Sequence, residues 1–355
     1  MRYCAEGQRK FQRDIRRARS VYGKRNLLFV RNNQVLYWRF LAHLEDMGFR
    51  PRTVEHYHEK LRTFLKWLGH RSLRRVKREE VERFLLWFKQ EHTRAPYTIR
   101  YVREALAVFF GFLMLHAALR RNPARGLRIR THFPQPERMD LFSPEETLLL
   151  VRAPCERRAH LDRSDFPTQL AFITASYTLL AHYLILKLMF SSGIRPYEIV
   201  NARRENLEEA AFLLRVRNKG HQQYIAEERS IFLSPRTVGQ LKELLAMSER
   251  RRGVTSAERL FINYHTGNPL SPLYPNNVVK RWACQCGITR NVYAYMCRYT
   301  YCTRLVENGA DAYSLKKLMG HKQMATSLIH YLKLTPKELR REWRQYNPLA
   351  EKGAV

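Results

Sequence analysis

The sequence predicts a mainly helical protein of two domains, with a small β-sheet in the second domain. Apolar residues recur at spacings of three and four through most of residues 32–120, which is typical of amphipathic helices. Two short runs, 212–216 and 230–233, have the composition of strands. With 355 residues, of which 45% are hydrophobic, the chain is long enough to bury two cores.

The chain carries a large positive charge. It has 64 Lys and Arg residues against 32 Asp and Glu residues, which gives a formal net charge of +32. A folded protein this basic repels itself unless it meets a polyanion, and nucleic acid is the usual one. A ribosome-associated or membrane-surface protein is the alternative that composition leaves open.

The sequence also predicts a cytoplasmic, nucleoid-associated protein. We see no apolar run of the roughly 18–20 residues that a membrane span needs, and no apolar block typical of a signal peptide at the N-terminus. The six cysteines do not form the spacing of a secreted disulfide framework. We therefore expect no membrane partner.

Four of the cysteines invite a zinc interpretation, namely Cys284, Cys286, Cys297 and Cys302. Their spacing differs from the usual two-residue knuckle, and the last two fall on one predicted helix. Buried thiols explain them better, so we predict neither a metal nor a cofactor.

Residues 32–125 predict a four-helix domain that follows a basic N-terminal segment, 1–31. The first helix should end at Gly48, and the next three should begin near Thr53, Arg78 and Thr98. Several aromatic residues share the inner faces of these helices, so we interpret them as packing rather than base stacking: Trp38, Phe64, Trp67 and Phe109.

Residues 126–140 lack periodicity and hold two prolines, which predicts a basic linker. The sequence Ser-Pro-Glu-Glu at 143–146 then reads as a capping box at the start of the second domain, 141–347. Residues 177–190 predict a buried core helix. Residues 348–355 form a tail.

Two segments of the second domain carry chemically informative residues. In 186–203, LKLMFSSGIRPYEIVNAR, an apolar helix breaks at Gly193 and Arg195 follows two residues later. Pro196 and Glu198 are typical of the first turn of the next helix. Lys219 lies further along, in the predicted hairpin loop between the two strands.

The second segment, 292–331, reads as helix, turn and helix. Its first helix carries Arg298, with Tyr295 one turn upstream. The next helix ends just before His321, and Tyr331 follows ten positions later.

The order of five residues resembles the catalytic domain of the tyrosine recombinases, the phage integrase family: Arg195, Lys219, Arg298, His321 and Tyr331. The resemblance covers roughly residues 140–345. Residues 32–125 also resemble the SAM-like core-binding domain of that family. The resemblance implies a two-domain DNA clamp.

The resemblance also implies a mechanism. Tyr331 would attack a phosphodiester and form a 3′-phosphotyrosine link. Arg195 and Arg298 would stabilise the five-coordinate phosphorus, with His321 as a further donor and Lys219 as general acid. Neither ATP nor a metal ion is required.

One departure from the family pattern bears directly on the chemistry. The position three residues before the second arginine usually holds histidine or lysine, whereas this chain has Tyr295. Telomere resolvases can carry tyrosine there, so a telomere resolvase or a type IB topoisomerase is an alternative enzyme. A DNA-binding regulator without catalysis is the alternative from another class, but such a protein should have lost an arginine or Tyr331.

We therefore predict the integrase or transposase of a mobile element, acting as a homotetramer on double-stranded DNA with a possible accessory directionality factor. The C-terminal helix could dock in cis or in trans. Basic residues near helix ends and in the linker are the candidate phosphate contacts: Arg52, Arg75, Lys77, Arg100, Arg103, Arg128 and Arg130.

Overall fold

The chain divides into two compact units, each with its own core. The computed structural model describes residues 13, 15, 32–92, 96–116, 119–127, 140–217, 228–251 and 258–320. Of these, the residues up to 127 belong to the first unit and those from 140 onward to the second. The predicted fold class, mainly helical with a small sheet, is confirmed.

The described part of the first unit contains four α-helices: α1 (Asn33–Asp46), α2 (Pro51–Leu68), α3 (Arg78–His92) and α4 (Pro96–Leu115). Helix α1 begins where the Asn32 side chain accepts the backbone N–H of Gln34 at 2.8 Å. Its last residue lies two positions before Gly48, as predicted, and the φ of 76° at Gly48 belongs to the region that favours glycine.

Aromatic side chains form a connected cluster in the core of the first unit. The rings of Phe64 and Phe84 meet edge to face with their centroids 4.9 Å apart, an arrangement worth about 0.5–1.5 kcal/mol beyond the burial of the rings. Trp38 and Trp67 are partly buried against the same cluster. The interpretation of these aromatic residues as packing is therefore confirmed. The fully buried phenylalanines are Phe40, Phe64, Phe84, Phe109 and Phe110.

Two predicted helix starts are wrong. Helix α2 begins at Pro51 with Arg50 as its N-cap, not at Thr53, and α4 begins at Pro96 rather than near Thr98. Proline suits the first helical position because its φ is already helical and it has no N–H to satisfy. Both helices therefore begin about half a turn before the threonine that we expected at their start.

The second unit opens with three helices: α5 (Pro144–Ala159), α6 (Gln169–Ser192) and α7 (Pro196–Asn201). The predicted capping box is confirmed. The Ser143 hydroxyl accepts the backbone N–H of Glu146 at 3.1 Å, and the Glu146 carboxylate accepts the backbone N–H of Ser143 at 2.9 Å.

A three-stranded antiparallel sheet follows, with the strands in the order β1 (Leu207–Glu208), β2 (Leu213–Arg217) and β3 (Glu228–Phe232). Leu214 lies opposite Ile231, and Val216 lies opposite Arg229. Leu214, Val216 and Ile231 are buried. Because side chains alternate along a strand, Arg229 shares the inner face with Ile231.

Four further helices complete the described part of the second unit: α8 (Pro235–Glu249), α9 (Tyr274–Gln285), α10 (Ala294–Glu307) and α11 (Ala312–Met319). Helix α10 ends with Asn308 as its C-cap, and Gly309 follows at a φ of 85°. The predicted end of this helix at Asn308-Gly309 is therefore confirmed.

Helix α6 is the central core helix of the second unit and packs against α5, α8 and α10. By length and composition alone it could cross a membrane, so the prediction that no apolar run is long enough is wrong. Its inner residues are nevertheless fully buried by the protein itself, as predicted for 177–190, and core helices of soluble proteins have the same character. These residues include Leu184, Ile185, Leu186, Leu188 and Met189.

Gly193 ends α6 at a φ of 57°. A Cβ atom there would lie 2.6 Å from Cδ1 of Tyr301 and 3.2 Å from Sδ of Met319. We expect Gly193→Ala to lower the free energy of unfolding by about 3 kcal/mol, because the left-handed backbone and the overpacking both disfavour a side chain. Thermal unfolding followed by circular dichroism measures this loss.

Gly287→Ala is the matched control for this substitution. Gly287 also has a positive φ, 75°, but its added Cβ would meet nothing within 4 Å. It should cost only about 1 kcal/mol, the conformational part of the effect. Equal losses in the two variants would contradict the role of close packing at Gly193.

Candidate active site

Arg195 lies in the short connection between α6 and α7. It is the N-cap residue of α7, so it precedes the helix rather than lying within it. Its backbone N–H donates to Oε2 of Glu198 at 2.9 Å, and its Nη1 donates to Oε1 of the same carboxylate at 2.8 Å. Its Nη2 donates to the Gly320 carbonyl at 2.9 Å, and the side chain remains 19% exposed.

Arg298 lies in the first half of α10 and is only 3% exposed. Its Nη2 donates to the Met319 carbonyl at 2.5 Å, and its Nη1 donates to the Gly193 carbonyl. The guanidinium therefore joins the end of α6 to the end of α11. Burying an arginine is costly unless its N–H groups find acceptors, and these two carbonyls provide them.

Arg195 and Arg298 thus converge on neighbouring carbonyls at the C-terminus of α11. Arg229 of β3 adds a third contact, since its Nη1 donates to the Leu318 carbonyl at 2.5 Å. The last carbonyls of a helix have no partner within the helix and carry a partial negative charge. Arginines that donate to them stabilise this end and are themselves held in place.

The helix end fits closely against the arginines because Gly320 lacks a side chain. Gly320 has a φ of 60°, and an added Cβ would lie 2.7 Å from Cδ of Arg229 and 3.6 Å from Nη1 of Arg195. A larger residue would displace the Arg229 stem. The glycine therefore permits both the left-handed end of α11 and the approach of the guanidinium groups.

Glu198 balances part of this positive charge. Its side chain is 1% exposed, and Arg229 Nη2 donates to its Oε2 at 2.8 Å. Burial acts to raise the pKa of the carboxyl, but the charges of Arg229 and Arg195 and their hydrogen bonds outweigh burial and hold its pKa below the ordinary value. The three arginines and this one carboxylate carry a net charge of +2.

Tyr295 lies in the first turn of α10 and is 47% exposed. The next two tyrosines on the helix, Tyr299 and Tyr301, are more enclosed. Burial, followed by the nearby Tyr293 and Tyr295, raises the pKa of Tyr299, and Tyr301 packs against Gly193. Tyr295 is therefore accessible from solvent on the helix that carries Arg298.

The structure brings together two of the six candidate catalytic residues, Arg195 and Arg298, and describes Tyr295 as well. The other three lie outside the described residues: Lys219, His321 and Tyr331. His321 directly follows Gly320 in the sequence, and Gly320 is the residue whose carbonyl accepts the hydrogen bond from Arg195.

The candidate phosphate contacts of the first unit lie at its surface. Arg52 is 61% exposed and pairs with Glu55, and Arg100 is 57% exposed and pairs with Glu104. Arg75 and Lys77 are also exposed. Arg103 is more enclosed and donates to the Leu127 carbonyl at 3.0 Å, so part of its role is to hold the end of this unit. The two remaining candidates lie outside the described residues: Arg128 and Arg130.

The sequence interpretation missed Arg229 and took Glu198 only as a first-turn helix residue. A signal for Arg229 existed. Strand alternation places it on the same face as Ile231, and an arginine on the inner face of a strand needs a buried acid or carbonyls nearby. The identity of those partners was not predictable, since Glu198 lies 31 positions away in the sequence.

The cysteines do not assemble into a zinc site in the described part of the chain. Cys297 and Cys302 are fully buried, whereas Cys284 is exposed. Burial raises the pKa of the Cys297 thiol, which disfavours the thiolate that zinc requires. Among the described residues, no group of three or more His, Cys, Asp and Glu side chains could hold a metal ion.

Comparison with protein families agrees with this architecture. Residues 160–338 match the phage integrase family, and residues 36–114 match the N-terminal SAM-like domain of phage integrases. The first match covers half of the chain. The chain therefore belongs to the phage integrase family of tyrosine recombinases, enzymes that cut and rejoin DNA strands.

Two curated tyrosine recombinases match this chain along nearly their whole length. Tyrosine recombinase XerD of Lacticaseibacillus casei is 25% identical over 295 residues, which cover 82% of this chain and 91% of the relative. Tyrosine recombinase XerC of Thermodesulfovibrio yellowstonii is 24% identical over 335 residues, which cover 90% and 98%.

Solved structures share the fold. The Tn1549 transposon integrase in complex with transposon right end DNA aligns with a TM-score of 0.64 at 19% identity, covering 87% of this chain and 98% of that one. A lambda integrase dimer bound to a core site aligns with a TM-score of 0.59 at 14% identity, covering 84% and 77%.

The charge balance at Glu198 predicts a dependence of stability on pH. Since the pKa of Glu198 is lower in the folded protein than in the unfolded chain, its stabilisation is fully present above the unfolded value, about 4.3, and is lost as the pH falls through the folded value. We therefore expect the melting temperature of the wild type to fall more steeply between about pH 5 and pH 3 than that of Glu198→Gln.

Glu205→Gln is the control for an exposed ion pair. Glu205 is 65% exposed and pairs with Arg203 at 3.0 Å, and such pairs contribute little to stability. Its melting temperature should follow the wild type at every pH. If the Glu198→Gln variant also follows the wild type, the buried carboxylate does not contribute as we describe.

Proposed function

We propose that the protein is a site-specific DNA recombinase that works through a 3′-phosphotyrosine intermediate and serves as the integrase or transposase of a mobile element. The observation that carries the proposal is the convergence of Arg195 and Arg298 on the carbonyls of Met319 and Gly320, directly before His321 in the sequence. The family membership of the chain supports the same chemistry.

The two arginines suit the charge that develops during attack on a phosphodiester. The five-coordinate phosphorus carries extra negative charge on its non-bridging oxygens, and positioned guanidinium groups stabilise it without needing a metal ion. The partly exposed Arg195 can be reached by a phosphate oxygen. Arg298 acts from a position shielded from water, where its charge has a stronger effect.

The remaining steps belong to residues outside the described part of the chain. Tyr331 gives its phenolic proton to solvent, and the phenolate oxygen attacks phosphorus and displaces the 5′-oxygen, which receives a proton from Lys219. His321 donates a further hydrogen bond. The 5′-hydroxyl of a second duplex then attacks the phosphotyrosine and releases Tyr331, so the bond energy is retained and no ATP is consumed.

We further propose that the protein acts on double-stranded DNA in the cytoplasm, associated with the nucleoid, and assembles as a homotetramer on its recombination sites. The net charge of +32 favours binding to DNA phosphates. The exposed Arg52, Arg75, Lys77 and Arg100 are our candidates for those contacts in the first unit. An accessory directionality factor would select between integration and excision.

A covalent adduct assay tests the proposed nucleophile. The protein is incubated in EDTA with supercoiled DNA that carries the end sequences of its element, and the reaction is stopped with SDS. We expect the wild type to form a covalent protein–DNA adduct and Tyr331→Phe to form none, because a phenyl ring offers no oxygen to phosphorus. Tyr346→Phe removes another tyrosine of the C-terminal segment and should leave the adduct intact.

Four outcomes would count against parts of the proposal. An adduct that persists in Tyr331→Phe would assign the nucleophile to another residue. Tight, salt-sensitive binding of the wild type without any adduct would favour a DNA-binding regulator. Hairpin-ended products from a palindromic site would instead identify a telomere resolvase, and relaxation of any supercoiled plasmid would identify a type IB topoisomerase.

Tyr295 changes the acid–base part of the chemistry. A phenol is a poor general base at neutral pH, whereas the imidazole of a histidine is a good one. The phenol can still donate a hydrogen bond to a phosphate oxygen. We therefore propose that Tyr295 acts as a hydrogen-bond donor, and its exposure supports access to the substrate.

Substitutions at Tyr295 distinguish a donor from a base. We expect Tyr295→Phe to slow adduct formation about tenfold, the effect of losing one hydrogen bond to a charged group. Tyr295→His should retain activity and acquire a pH dependence centred at about 6.5. Adduct formation by Tyr295→Phe at the wild-type rate would show that the hydroxyl has no part in the reaction.

A further inference from the structure

We propose that Arg229 is a positioning residue of this recombinase, because it takes up the charge of Glu198 that would otherwise neutralise Arg195. The inference rests on the proposed function, in which Arg195 binds the reacting phosphate. Arg229 itself does not touch the substrate in this account. It acts through the buried carboxylate and through the end of α11.

The contacts of Arg229 support this role. Its side chain is 8% exposed, and its Nη2 donates to Oε2 of Glu198 at 2.8 Å. Its Nη1 donates to the Leu318 carbonyl at 2.5 Å, and weaker contacts of 3.5 Å reach the carbonyls of Ser192 and Gly193. One guanidinium therefore holds the ends of α6 and α11 and the first turn of α7.

The two oxygens of Glu198 divide between the two arginines. Oε1 accepts from Nη1 of Arg195, whereas Oε2 accepts from Arg229 and from the backbone of Arg195. If Arg229 were neutral, the buried carboxylate would have Arg195 as its sole charged partner among these contacts. The pair would then be neutral overall, and a phosphate at Arg195 would meet much less positive charge.

Packing alone does not explain an arginine at this position. Nε of Arg229 is buried and has no hydrogen-bond partner among the described residues. Apolar residues in place of both Arg229 and Glu198 would leave no buried donor unpaired, and such replacements of a whole ion pair often stabilise a protein. A residue that costs stability in this way is expected where its charge serves a function.

The position of Arg229 in the chain extends its influence. It is the second residue of β3 and lies opposite Val216 of β2. The segment 218–227, which joins these two strands, contains Lys219. Arg229 thus ties the strand that follows the proposed general acid to the helix end that precedes His321.

A matched pair of substitutions separates charge from structure. Arg229→Lys keeps the positive charge, whereas Arg229→Gln keeps hydrogen-bonding capacity without the charge. At saturating DNA we expect Arg229→Gln to form the covalent adduct about 100-fold more slowly than the wild type, as for a misplaced reacting group. Arg229→Lys should stay within about tenfold of the wild type, and the affinity of both variants for DNA should be unchanged.

The double variant Arg229→Gln/Glu198→Gln tests whether the charge of Glu198 causes the loss of adduct formation. Removing the carboxylate together with the arginine leaves Arg195 positively charged, so we expect adduct formation to recover at least about tenfold relative to Arg229→Gln alone. Rates are compared per folded molecule, because removing the unpaired buried carboxylate would also restore folding. A purely structural role then predicts equal rates for the single and the double variant. Equal rates for the Lys and Gln variants, or a double variant no faster than Arg229→Gln, would overturn the inference.

Controls keep this test distinct from the test of the proposed function. If the wild type forms no adduct, the proposed function fails, whereas a wild-type adduct with an unaffected Arg229→Gln variant refutes only the inference. Arg215→Gln removes an exposed arginine of β2 that pairs with Glu208 and should behave as the wild type. If Arg229→Gln does not fold, the double variant decides, since the charge argument predicts that it folds and reacts.

Discussion

The second unit depends on one shared electrostatic arrangement, in which three arginines donate to the C-terminal carbonyls of a short helix and two of them also pair with a single buried carboxylate. The guanidinium groups donate to carbonyls at the end of this helix, and each of these carbonyls thereby receives a partner that the helix cannot provide. The arrangement needs Gly193 and Gly320, because a side chain at either position would collide with its neighbours. The same contacts therefore build the fold and concentrate positive charge.

The core determines where this charge lies. Helix α6 is mostly buried from Tyr177 onward and ends at Gly193, whose carbonyl accepts a hydrogen bond from Arg298. Arg195 follows two residues later as the N-cap of α7, so its position is fixed close to the end of α6. The rigidity of the core is thus transmitted to the guanidinium groups over a few residues. This suits a reaction in which stabilisation comes from groups held in position beforehand.

Much of the fold could be predicted from the sequence, since helix periodicity, the capping box at Ser143 and the glycine at 193 are local signals. The helix starts at Pro51 and Pro96 were missed because proline at the first turn outweighed a nearby threonine. Arg195 and Arg298 were found by their order along the chain. The sharing of Glu198 with Arg229 could not be, because it depends on contacts between distant segments. The domain limits and the roles of the site residues remain predictions.

The arginines of the two units are held in contrasting ways, which under the proposed function would separate DNA binding from the reaction. Arg52 and Arg100 are exposed, and their pairs with Glu55 and Glu104 contribute little energy, so a DNA phosphate can replace the glutamate at small cost. Such contacts give affinity that salt weakens and that carries no sequence information. Arg298 and Arg229 are buried and cannot exchange partners so easily. High salt should therefore release the DNA well before it disturbs the charge arrangement that we assign to the reaction.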